Sequence, residues 1–280
     1  MTRTFMRWPN FKRKAVTLSY DDGIVYDKRL IEIMDKHGLK GTFNLNSGFF
    51  AKKEGGIRLT KQQAYDLYAN CGHEIAAHGV KHLSLGMVDE SMAINDVIND
   101  RVNLEEMFGG LVQGFAYPNG SYSDEAVEIL KSAGIHYART VISTEKFDIP
   151  SDWLRLPTTC HHANPRLMAL AKQFVESGDG YNFWWTQPQL FYLWGHSYEF
   201  NDNNNWDIIE KFAEYIGNRE DIWYATNGEI YNYVKAFDML QFSANGTMVY
   251  NPSAIDVYIC YFTKNYIIPS GKTVRIDPSY

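Results

Sequence analysis

The sequence predicts an α/β protein in which parallel strands are joined by crossover helices, closed as a β/α barrel or laid out as an open doubly wound sheet. Three observations predict it. Short apolar runs alternate with helix-periodic segments from Lys14 to about Phe237. Several of the apolar runs end directly in polar residues: Asp21-Asp22, His78, Asn119 and His196. In parallel β/α folds such strand ends face one crevice, where a site is built. From about Asp238 the texture changes to alternating strands and turn residues, which predicts a small antiparallel β appendage. The expected division is residues 1–237 for the main α/β domain and 238–280 for an appendage packed on it.

In chain order, Lys14–Tyr20 reads as a strand running into Asp21-Asp22-Gly23. Asp27–His37 reads as a helix stopped by Gly38, and Gly41–Asn46 as the next strand. Thr60 can cap a helix to about Ala69, with Gln63 completing a capping box. Ile75-Ala76-Ala77 is an apolar run, short enough for a buried strand, that ends at His78. Asp89–Phe108 reads as a long amphipathic helix with Met92, Val97, Ile98, Val102 and Leu104 as apolar positions, ended by Gly109-Gly110. Gly114–Tyr117 is a short strand leading into the turn Pro118-Asn119-Gly120. Ser123 caps a helix to Ala133, followed by a strand over His136–Ile142 and an extended stretch over Ser151–Thr159. Pro165–Glu176 reads as a helix, and Leu190–Gly195 as a buried strand that delivers His196. Asn201–Asn205 is a polar loop before a helix to Ile216. Ile222–Ala225 is a strand and Asn227–Phe237 the last helix. In the appendage, Ala244-Asn245-Gly246 reads as a hairpin turn, with strands at Ile255–Phe262 and Tyr266–Ile276.

Composition narrows the function. The 280 residues carry a net charge of −6, so no basic footprint for nucleic acid or an anionic membrane is present. Three widely spaced cysteines give neither a disulfide framework nor a paired metal motif. The basic N-terminal residues lack an apolar segment of the signal-peptide kind, and the chain reads as cytoplasmic. Aromatic residues make up 15%, enough to fill a core and also to line a groove for sugar rings.

His78 and His82 are spaced i and i+4. If the chain turns helical after the strand, both imidazoles lie on one side, where they can share a divalent transition metal. Two histidines and one carboxylate leave open positions for water and substrate, an arrangement suited to catalysis. The adjacent Asp21 and Asp22 are costly to hold together unless a cation or a shared proton relieves them.

These residues resemble the motifs of the polysaccharide deacetylases (carbohydrate esterase family 4, the NodB-type domain). Leu18-Ser19-Tyr20-Asp21-Asp22-Gly23 is similar to the first motif, and Gly72-His73-Glu74-Ile75 with His78 to His82 to the second. Phe115 to Gly120 is similar to the third, Asp152-Trp153 to the fourth and Leu193-Trp194-Gly195-His196 to the fifth. The order matches, over about Lys14 to Ala236. The resemblance implies a distorted, incomplete (β/α)7-type barrel. It implies one divalent transition metal on Asp22, His78 and His82, most suitably Zn, with Co, Ni or Mn as alternatives. Asp21 would be the general base acting on metal-bound water, the backbone N–H of Asn119 an oxyanion donor, and His196 the general acid. The substrate would be an N- or O-acetylated carbohydrate. Where the family carries an arginine that orients the base, this chain has Ala116. Arg139 or Arg155 is expected to supply the guanidinium instead.

Tyr117, Trp153, Trp194 and His161 are expected to line the substrate groove. Asp152 either positions the base or caps a turn. His73 reads as a structural histidine, Cys160-His161-His162 as a loop near the groove, and Trp184-Trp185 as buried or at an interface. Two other functions fit the same residues: a non-catalytic carbohydrate-binding protein, and a hydrolase of non-peptide C–N bonds in small molecules.

Overall fold

A computed structural model describes residues 4–177 and 186–277. Trp184-Trp185 lie outside the described residues. In order, the strands of the main sheet are β2 (Lys14–Asp21), β3 (Gly41–Leu45), β4 (Glu74–Ala77), β5 (Gly114–Ala116), β6 (Tyr137–Ser143), β7 (Leu156–Thr158), β8 (Cys160–His161), β9 (Gln189–Gly195) and β10 (Ile222–Tyr224). They follow β1 (Thr4–Arg7). The helices are α1 (Asp27–Lys36), α2 (Lys61–Tyr68), α3 (Glu90–Phe108), α4 (Asp124–Ser132), α5 (Leu167–Glu176), α6 (Ser197–Asp202), α7 (Asp207–Ile216) and α8 (Asn227–Asp238).

All pairings in the main sheet are parallel, in the order β7-β6-β5-β4-β3-β2-β9-β8. The sheet closes on itself through one short stretch. β7 and β8 are the same segment interrupted at Thr159: the first half pairs with β6, the second with β9. At the break, Thr159 N–H donates to Tyr192 O (2.9 Å) and Thr159 O accepts from Glu145 N–H (2.9 Å). The result is a seven-strand β/α barrel rather than an open sheet. It is distorted at the seam, where the β6–β7 register shifts. β10 adds a partial strand on the amino-terminal half of β2, below β3. β2 is buried along its whole length, as a strand covered on both faces must be.

The expected caps form at Thr60 and Ser123, Thr226 adds a capping box at α8, and Gly109 takes the left-handed conformation (φ 73°) that ends α3. Two expectations fail. Asn201 and Asp202 are helical, in α6, which follows His196 at once. In α3, Met92, Ile98 and Val102 are exposed; the inward face is Ala93, Asp96, Val97, Asp100 and Leu104. Two acids occupy positions that a count of apolar residues passes over.

The C-terminal region forms two antiparallel sheets: β11 (Gln241–Phe242), β12 (Met248–Tyr250) and β15 (Thr273–Arg275) in one, β13 (Val257–Tyr261) and β14 (Lys264–Ile268) in the other. The second sheet recruits β1, whose Thr4 registers with Tyr261. The chain's first strand thus belongs to the sheet of the appendage and not to the barrel.

Candidate active site

The carboxyl ends of β2, β4 and β9 bring Asp21, Asp22, His78, His82 and His196 together, and Arg139 joins them from the third position of β6. Asp22 sits in the left-handed region (φ 84°), a conformation that Asp tolerates better than most residues. Arg58 Nη1 donates to its carbonyl oxygen (2.6 Å). Asp22 Oδ1 lies 3.9 Å from His82 Nε2.

The histidine pair converges by another route than the expected helix. After β4 the chain makes a turn, with Gly79 at φ 77° and His82 at φ 54°, and the two rings meet edge to face, 4.7 Å between centroids. α3 holds this turn from beneath. Asp100 accepts from the backbone N–H groups of His78 (2.9 Å) and Ser47 (2.7 Å). Asp96 accepts from Lys81 N–H (2.7 Å). Asn46, at the end of β3, donates to the carbonyls of His78 (2.6 Å) and Gly79 (2.8 Å).

The donor set fits a transition metal. His78 Nδ1 lies 2.8 Å from Ala116 O, which places its proton there and leaves the Nε2 lone pair buried with no partner. Burial holds that ring neutral, pushing it to about 4 against the pull of Asp21. Neutral imidazole is the form that binds metal, and a backbone acceptor on the far nitrogen is the usual way to aim it. One donor atom from each of Asp22, His78 and His82 lies within 4.8 Å of the others.

Asp21 is buried beside them. Arg139 Nη2 donates to both of its oxygens, and Asn44 Nδ2 to Oδ1 (2.8 Å). Burial disfavours its charge, but Arg139, His78 and His196 outweigh burial and bring it to about 2. Arg139 stands directly beside Ala116 in the β5–β6 register, and its guanidinium stacks on the Trp194 ring (4.5 Å). Arg155 instead pairs with Asp124 and Asp152 at the surface.

His196 Nε2 lies 3.7 Å from Asp21 Oδ2, and His196 Nδ1 3.3 Å from Glu199 Oε1. Burial works against its charged form, yet Glu199 and Asp21 prevail and raise its pKa above the usual imidazole value. Glu199, Asp96 and Asp100 were not among the expected residues. Each carries a sequence signal: an acid three residues after a strand-end histidine, and acids at core positions of an amphipathic helix.

Of the expected groove residues, Trp194 and His161 lie at the site, their rings 4.5 Å apart. Asn119 is exposed after β5, in the left-handed region (φ 56°), with its side chain on Ser84 Oγ (3.0 Å). Tyr117 and Trp153 correct the expectation. Tyr117 is core, and its hydroxyl is spent on Leu154 O (2.8 Å). Trp153 packs with Ala15, Tyr137 and Leu190 at the amino ends of the strands, away from the site. Asp152 caps a turn by accepting from Leu154 N–H (3.1 Å). His73 is structural, bonded to Gly41 N–H (3.3 Å). Burial pushes the Cys160 thiol up to about 12, leaving it inert.

Comparison with known proteins bears on the same residues. A family model described as polysaccharide deacetylase matches residues 9–138. No curated protein sequence matches the chain. Among solved structures, the chain is similar to a putative polysaccharide deacetylase from Mycobacterium smegmatis: 17% identity, 85% of this chain and 96% of that one, TM-score 0.58. It is also similar to a family 4 carbohydrate esterase from Streptomyces lividans, in complex with acetate: 14% identity, 76% and 93% coverage, TM-score 0.52. A third is a family 4 pseudoenzyme from Bacillus anthracis: 16% identity, 81% and 68% coverage, TM-score 0.51. At these identities the likeness establishes the shared fold. No helix among the described residues is long and apolar enough to cross a membrane.

Proposed function

We propose that this chain, whose residues 9–138 match the polysaccharide deacetylase family model, is a metal-dependent hydrolase removing acetyl groups from an N- or O-acetylated carbohydrate. The observation that carries the reading is the meeting, at one end of the barrel, of a two-histidine, one-carboxylate metal set with a separate carboxylate and a separate histidine. A binding protein needs neither Asp21 nor His196.

Asp22, His78 and His82 would hold the ion. A divalent ion there supplies Lewis acidity, which acidifies a water and polarises an acetyl carbonyl; an N2O donor set suits Zn, with Co, Ni or Mn as competitors. Asp21, kept ionised by Arg139, accepts the proton of the attacking water. The backbone N–H of Asn119 stabilises the developing oxyanion. His196 gives its proton to the leaving amine or alkoxide. Trp194 and His161 form a wall against the sugar.

The test is acetate release from chitin-, peptidoglycan- and xylan-type oligosaccharides. Release that stops on chelation and returns with added Zn or Co supports the reading. No release from any of them, with the metal bound, sinks it in favour of the non-catalytic binder.

A further inference from the structure

Glu199 gathers three imidazoles, and only His196 among them has a part in the reaction above. It stands in the first turn of α6, three residues after His196. Its Oε1 faces His196 Nδ1; its Oε2 lies 3.1 Å from His161 Nε2 and 2.8 Å from His162 Nε2. His161, His196 and Glu199 have donor atoms within 4.8 Å of one another, close enough for a second ion.

Hydrogen bonding argues against an ion and for a different role. Ala163 N–H donates to His161 Nδ1 (3.1 Å). That nitrogen therefore carries the lone pair, and the neutral ring's proton sits on Nε2, facing the carboxylate. Coordination through Nε2 would force a proton onto Nδ1, against the Ala163 N–H. His162 is neutral as well: burial holds it near 4, outweighing the pull of Glu199. Its ring lies between Tyr20 and Phe200. Position 195 must be glycine for it to stay, because a Cβ there would stand 2.0 Å from His162 Nδ1. Both rings thus turn Nε2 toward Oε2. Fixing a glutamate that could otherwise rotate costs side-chain conformational entropy; the two imidazoles, from β8 and the loop after it, flank Oε2, and Oε1 is left for His196.

On this geometry, and resting on the reading of His196 as the general acid, we propose that Glu199 is its positioning residue, holding the proton on Nδ1 so that Nε2 faces Asp21 and the reacting bond. In the acid step the His196 Nε2–H bond breaks and the proton joins the leaving nitrogen or oxygen as its bond to the acyl carbon breaks. The ring is left neutral, with Nδ1–H still on Glu199. His161 and His162 act one step further out, on the carboxylate.

Glu199→Gln tests this with two readouts on the metal-loaded protein. The first is turnover of an acetamido sugar against nitrophenyl acetate, whose phenolate leaves without protonation. The sugar kcat should fall roughly a hundredfold further than the aryl ester kcat, with little change in KM. The second is the ¹⁵N NMR signature of the His196 ring, which should lose its Nδ1-protonated form. Glu199→Asp, which keeps the charge but shortens the reach, should fall between. Equal losses on both substrates, or an unchanged His196 signature, would overturn the role of Glu199. If the wild type releases no acetate from any sugar, the deacetylase reading fails, and the NMR readout still decides the Glu199 contact.

Discussion

Arg139 reaches Asp21 from β6, beside Ala116 on β5. They are register partners on β5 and β6, so their side chains leave the sheet on the same face. A methyl at 116 gives the Arg139 guanidinium room to reach Asp21 and to stack on Trp194. Removing it leaves a buried carboxylate without its cation, a loss of about 3–5 kcal/mol. Arg139→Ala should therefore lower denaturant stability by that order. With Arg139 gone, burial dominates at Asp21 and its pKa rises from about 2. The base is then lost at higher pH, so the acid limb of the pH–rate profile should move upward. Adding Ala116→Arg to that variant should recover part of both losses. Turnover unchanged in Arg139→Ala would separate the guanidinium from the chemistry.

α3 is the element that makes the histidine turn. Its inner face offers two carboxylates one helical turn apart, each accepting backbone N–H groups of the 78–83 segment. Gly79 fits only because it lacks a Cβ, which would stand 2.3 Å from Asp96 Oδ2. Buried acids of this kind would act on the proposed metal site through its scaffold. Asp100→Ala should leave the Ser47 N–H without its acceptor and the His78 N–H with Leu45 O alone, and weaken Zn binding by roughly 10- to 100-fold, read by competition with a chromogenic chelator. Unaltered affinity would reduce Asp100 to a packing role.

On the scale of the whole molecule, the two chain ends are tied to one another and to the barrel. β1 hydrogen-bonds to β13, and Trp8 immediately after it is fully buried against Trp223 and Tyr233. Tyr233 of α8 donates to Arg7 O (2.6 Å) and accepts from Tyr258 N–H (2.9 Å), joining helix, first strand and appendage. Trp8→Ala should cost about 3–5 kcal/mol and shift the unfolding of barrel and appendage together, seen as one displaced transition by both fluorescence and circular dichroism. Separate transitions would show the appendage folding on its own.

The sequence by itself determined the alternation of strands and helices, the caps at Thr60 and Ser123, and which strand ends carry Asp21, Asp22, His78 and His196. Those follow from periodicity and from residue chemistry within a few positions, which local physics governs. Tertiary structure decided the rest. Barrel closure depends on one segment pairing with β6 before Thr159 and with β9 after it, and the first strand's membership of the appendage on a pairing across most of the chain. The turn at His78–His82, the inward face of α3, the burial of Tyr117 and Trp153, and the gathering of three histidines on Glu199 all depend on which surfaces meet. A side chain's worth is set there by neighbours distant in sequence, and no local pattern records them.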